Sequence, residues 1–156
     1  MASKVFTGGA ALEAHLREIA QKVRRSGTLE VGFPEGSTYP DGTPVAYIAA
    51  IQEFGTQNAG PNHNVTIPAR PFFRTMIAEK RNEWGPALGQ IIVNVRYDTE
   101  AALSQLGEGI QGQLQKSIRD WTQPPNAAST VAEKGFDKPL IDTGHMVNSV
   151  RYVVKT

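Results

Sequence analysis

Hydrophobic residues along this chain recur with two periods, and the alternation between them divides it into elements. Leu12, Leu16, Ile19, Ala20 and Val23 fall on one helical face, with Glu13, Arg17, Glu18 and Arg24 elsewhere. That pattern predicts an amphipathic helix after Thr7 and two glycines, with Arg24 and Arg25 favouring its carbonyl end and Gly27 stopping it. Leu29, Val31 and Phe33 then alternate with Thr28, Glu30 and Gly32, the period of a half-buried strand that Pro34-Glu35-Gly36 ends. Residues 37–42 form a turn-rich connection. Thr43-Pro44 signals a helix start, with the threonine side chain as cap; Val45, Ile48, Ala49 and Ile51 supply the helix's apolar side and Gly55 stops it.

Residues 56–65 are Gly, Asn, Gln, Pro and His in large part and read as a loop too polar to pack, bracketed by apolar anchors. Ile67-Pro68 is extended, and Pro71 opens a helix carrying Phe72, Phe73, Met76, Ile77 and Trp84, with a break at Gly85-Pro86. From Leu88 to Val95 the spacing favours continued helix, while the composition of Ile91 through Tyr97 equally suits a strand; helix is the reading taken. Leu103, Leu106, Ile110, Leu114 and Trp121 mark a long helix ending before Pro124-Pro125. Its glycines 107, 109 and 112 each cost about 1 kcal/mol of helix propensity relative to alanine. Their presence points to close approach of another backbone, expected from a neighbouring subunit. Residues 123–138 read as irregular. Val150, Tyr152 and Val154 form a closing strand expected to pair with residues 29–33. The sum is one α+β domain over residues 1–156: a small antiparallel sheet packed against several helices, with long irregular loops. The first helix and the helix of Phe72 to Trp84 are expected to pack across the sheet, and Phe54, Phe72 and Phe73 to supply much of the core.

Composition narrows the function classes. The 156 residues are 40% hydrophobic and 20% charged, enough for one packed core, and the formal charge of +1 argues against a chain devoted to neutralising phosphates. The basic cluster Arg17, Lys22, Arg24 and Arg25 fits a solvated helix end better than a nucleic-acid site. With no cysteine there is no disulfide and no thiolate metal site. No signal-peptide core or bilayer-length apolar run is seen, so a soluble protein made in the cytoplasm is expected.

Two motifs imitate active sites. Gly107-x-Gly109-x-x-Gly112 matches the dinucleotide fingerprint by letter, but it lies within a helical period instead of at a strand-to-helix turn. Asp142-Thr143-Gly144 has the letters of the aspartic-protease triplet, yet too little chain follows it to build that barrel; Asp142 or Thr143 is read as the cap of a short helix running through Val147. His15, His63 and His145 have no metal-ligand spacing, and no serine sits in a nucleophile elbow. No catalytic group, metal or cofactor is expected. Arg70 is a candidate partner for the Glu53 carboxylate, the two forming a structural clamp across the loop.

Three segments in order then carry a resemblance: the helix ending in Glu53-Phe54-Gly55-Thr56, the run from Ile67 through Pro68, Arg70 and Pro71 to Phe72, and Pro139-Leu140-Ile141 with Thr143-Gly144 before the last strand. Together they resemble the tail-completion and virion-morphogenesis proteins of tailed bacteriophages, over roughly residues 31–154. The departures lie mostly in the loop of residues 56–65. The resemblance implies a non-enzymatic structural protein of the neck, or head–tail junction, that completes the tail and joins it to the head connector. It implies no cofactor. It also implies a ring of identical copies, a hexamer or dodecamer, contacting connector and tail-tube proteins, with synthesis in the host cytoplasm and residence in the virion. DNA would pass without specific binding, and no membrane is involved. The candidate interface and structural residues are Glu53, Phe54, Gly55, Arg70, Phe72, Asp142 and Gly144. A DNA-contacting accessory of phage assembly is the alternative.

Overall fold

The computed structural model describes residues 8–25 and 27–156, so Thr7 lies outside the described residues. In chain order the elements are α1 (Gly9–Val23), β1 (Thr28–Gly32), α2 (Val45–Phe54), β2 (Thr56–Ala59), β3 (Val65–Ile67), α3 (Phe72–Asn94), α4 (Thr99–Asp120), α5 (Ala128–Lys134), α6 (His145–Asn148) and β4 (Arg151–Lys155). The class is α+β, as expected.

β1 pairs antiparallel with β4, Thr28 opposite Lys155 and Gly32 opposite Arg151. The period-two pattern puts Leu29, Val31, Tyr152 and Val154 on the half-buried face, over which α4 lies. Gly107 lets the helix come this close. A Cβ there would lie 2.7 Å from both Leu29 Cδ1 and Tyr152 Cδ2. The close approach is therefore to the chain's own sheet, and not to a neighbouring subunit; Gly109 and Gly112 face open space.

α3 and α4 form an antiparallel pair, reversed at residues 95–98, where Arg96 and Tyr97 take left-handed backbone angles. Asp98 caps α4, its carboxylate accepting the Ala101 N–H at 3.0 Å. Along the pair, Trp84 Nε1 donates to Gln113 Oε1 at 2.9 Å and Ser117 Oγ donates to the Phe72 carbonyl at 2.8 Å. The core lies between this pair, α2, α6 and the sheet, built from Val45, Ala49, Phe72, Met76, Leu114, Ile118, Val147 and Val150.

Six expectations are corrected. α1 does not pack across the sheet: it buries no residue, and Leu12 and Leu16 stand more than half exposed. α3 is not broken at Gly85-Pro86 but runs through both to Asn94, which settles residues 88–94 as helix. Pro86 removes one backbone bond, and its would-be acceptor, the Asn82 carbonyl, sits on an exposed residue where water can serve it. The polar stretch after Gly55 is a hairpin of β2 and β3, and the irregular stretch of residues 123–138 contains α5. Phe54 is 66% exposed, so only Phe72 and the half-buried Phe73 serve the core as expected. Finally, Pro44 and not Thr43 is the N-cap of α2, with no side-chain cap; the Thr43 N–H donates to Asp41 Oδ1 at 2.9 Å.

Candidate functional site

Gly55 sits where α2 gives way to the hairpin. Its φ of 72° is in the left-handed region, and a Cβ would come within 2.7 Å of the Ala69 nitrogen and 2.8 Å of the Ile67 carbonyl. Only glycine lets the outgoing and returning strands meet there. The Arg70 N–H donates to the Gln52 carbonyl at 2.7 Å, tying the return to the last turn of α2. At the far end, Gly60 accepts the His63 N–H at 3.1 Å, and the whole tip from Gly60 through Asn64 is exposed.

Glu53 and Arg70 are the buried charged residues of the described chain, each 5% exposed, and they do not pair with each other as expected. The Glu53 carboxylate instead accepts the backbone N–H groups of Phe73 at 2.9 Å and Arg74 at 3.2 Å, and the Arg74 Nε at 2.7 Å. α3 has no cap of its own at Pro71, so a side chain from α2 serves its orphan donors and complements its dipole. The Arg70 guanidinium donates Nε to the Pro124 carbonyl at 3.0 Å, one terminal nitrogen to Gln52 Oε1 at 2.9 Å and the other to the Pro125 carbonyl at 3.2 Å. Burial pushes its pKa down, and the field of Asp137 pulls it back up. One arginine thus ties α2, the hairpin and the segment after α4 into a single frame.

This frame presents an apolar outer face. Tyr47, Ala50 and Phe54 recur at i, i+3 and i+7 along α2, and all three are exposed, Tyr47 at 61%. The Arg74 guanidinium lies 4.8 Å from the centre of the Phe54 ring, beside an apolar hollow of about 220 Å³ between α2 and the start of α3.

Asp142 lies beside this frame, in a groove of about 530 Å³ shared with Tyr39, Asp41, Ile48, Gln52, Leu140, His145 and Met146. Gly144, with φ of 79°, is the N-cap of α6; neither Asp142 nor Thr143 holds that position, although Thr143 Oγ1 accepts the His145 N–H at 3.4 Å. His145 Nε2 is 2.8 Å from the Thr38 carbonyl, so that nitrogen carries the proton, and its ring lies 4.8 Å from that of Tyr39. Burial first, then the fields of Asp142 and Asp41, pushes the Tyr39 phenol above its ordinary pKa.

The three glycines of the fingerprint lie inside α4 and form no phosphate-cradling turn. Among the described residues no cluster of three or more His, Asp or Glu stands in metal-binding proximity, and no helix is long and apolar enough to cross a membrane. Sequence reasoning missed Arg74 as the partner of Glu53 and missed the Tyr39–Asp142 groove. The first had a signal in Arg74's place in the first turn of α3; the second joins segments a hundred residues apart and had none. No known protein family, curated protein or solved structure gives a match to this chain.

Proposed function

We propose that this chain is a structural protein of the bacteriophage head–tail junction, which completes the upper end of the tail and joins it to the head connector through protein–protein contact. The carrying observation is that Glu53, Gly55, Arg70 and Phe72, residues of the resembling motifs, form one buried frame that holds Tyr47, Ala50 and Phe54 out toward solvent. A fixed frame under an exposed aromatic patch is the anatomy of a contact surface, since aromatic anchors on rigid backbone bind with little ordering cost. The reading includes a ring of copies, residence in the virion and no catalytic role. The DNA-contacting alternative gains nothing specific from the fold: Lys22, Arg24, Arg25 and Arg96 share their hollow with Glu18, Asp98 and Glu100.

Phe54→Ala in the phage genome is the test, because Phe54 is exposed and its loss spares the core. The expected result is full heads and finished tails that fail to join, seen by electron microscopy, with infectivity reduced at least tenfold. Wild-type infectivity from a variant bearing Phe54→Ala together with Tyr47→Ala would overturn the reading.

A further inference from the structure

The molecule carries two uncovered apolar features with matching charge at its opposite ends. The first is α1. Leu12, Leu16 and Val23 are each at least half exposed on its apolar face, and α1 buries none of its residues. Arg17 pairs with Glu13 at 2.5 Å and Lys22 with Glu18 at 2.9 Å, which leaves Arg24 and Arg25 in no ion pair among the described residues, though Glu18, Asp98 and Glu100 line the same hollow. The second is the groove beside Tyr39. Its apolar walls are the half-buried Tyr39, Ile48 and Ile141, above the buried Leu140 and Met146, and its rim carries Asp41 and Asp142, neither of which forms an ion pair among the described residues.

Their placement settles which molecule can bring them together. α1 is rooted where α3 turns into α4: Thr99 Oγ1 donates to the Lys22 carbonyl at 3.1 Å. The groove lies at the other end of that pair, since Ile48 and Gln52 line it and Gln52 is bound to Arg70 at the start of α3. α4 has 22 residues, so the two places are about 30 Å apart. Arg25 is three residues from Thr28, a span of at most about 11 Å. The arginines cannot reach the groove of their own chain.

We propose that α1 seats in the Tyr39–Asp142 groove of a second copy, its apolar side chains over Tyr39, Ile48 and Ile141 and its arginines against Asp41 and Asp142. Helix and groove are different surfaces, so the contact is heterologous: every bound copy still offers a free helix or a free groove, and the series ends only by closing into a ring. The inference goes beyond the neck reading, whose contact face is Tyr47, Ala50 and Phe54 on α2, and it is tested on the purified protein without phage.

Two variants disable opposite halves of the contact: Leu16→Asp on the helix, and Asp41→Lys with Asp142→Lys on the groove. Circular dichroism matching the wild type qualifies each, and both sites are exposed. Sedimentation is expected to show wild-type protein larger than a dimer, each variant alone monomeric, and their equimolar mixture a dimer that grows no further, because one good helix meets one good groove. The chain has no cysteine, so single-cysteine variants provide a second measurement. Arg24→Cys mixed with Asp142→Cys is expected to form a disulfide between copies, because the proposed contact sets these two positions against each other. Wild-type protein that sediments as a monomer, variants that assemble like the wild type, or cross-linking confined to one chain carrying both cysteines would each overturn the proposal. None of these results depends on whether the assembly belongs to a phage neck.

Discussion

At the scale of single residues, the two buried charges have separable jobs. Glu53→Ala removes the cap of α3 and strands two backbone donors and the Arg74 guanidinium; a loss of about 2–4 kcal/mol is expected in urea denaturation, with Glu53→Gln falling between because one acceptor survives. Arg70→Lys keeps the charge but cannot serve three acceptors from a planar fork, and a loss of about 1–3 kcal/mol is expected. Tyr39 offers a pH test. Its folded pKa is raised, so the proton is held more tightly in the folded state; stability from this source is present below the ordinary tyrosine pKa and is lost as pH rises through the folded one. Tyr39→Phe should therefore remove part of the alkaline loss of stability. Asp142→Asn should bring the phenol's titration, followed by tyrosinate absorbance, partway back toward normal, because burial is the larger cause and remains.

Single residues also show how far the sequence could be read. The importance of Glu53 and Arg70 was legible, because charges set between apolar anchors need partners. Which partner each takes was not: Arg70 and Arg74 both lie near the start of α3, and only the direction of each side chain decides that Arg74 faces the carboxylate. Phe54 misled for a related reason. α2 is apolar around most of its circumference, so periodicity could not say which side the core would cover.

At the scale of elements, the three glycines of α4 make opposite predictions from one motif. Gly109→Ala and Gly112→Ala enter open space and should each stabilise by up to about 1 kcal/mol. Gly107→Ala drives a methyl into Leu29 and the Tyr152 ring and should destabilise by about 1–3 kcal/mol, measured by the same unfolding assay. The strand pair was legible because strict alternation admits one face toward the core, and both strands show it. The hairpin was not, since composition marks β2 and β3 as polar; they are held by the frame at their base, which no local pattern reveals. The continuity of α3 was hidden by a proline that is a breaker in general and tolerable where its orphaned carbonyl meets water.

At the scale of the whole molecule, the antiparallel α3–α4 pair acts as a spacer. It sets the frame and the acidic groove at one end and the basic root of α1 at the other. The exposed apolar faces of α1 and α2 account for much of what an isolated copy leaves unsatisfied. Leu16→Asp should accordingly reduce binding of a dye that reports exposed apolar surface on any free copy, as well as changing sedimentation.

The pairing of Thr28 with Lys155 has a consequence for the order in which the chain folds. Helical contacts between α3 and α4 close over a short reversal and can form early, whereas the β1–β4 ladder must close a loop of nearly the whole chain. Folding should then show helical signal first and the sheet last, with the amides of residues 29–32 gaining hydrogen-exchange protection after those of α4. Until that final step Gly107 has no sheet to rest on, and the polypeptide stays an open, kinetically immature helical pair.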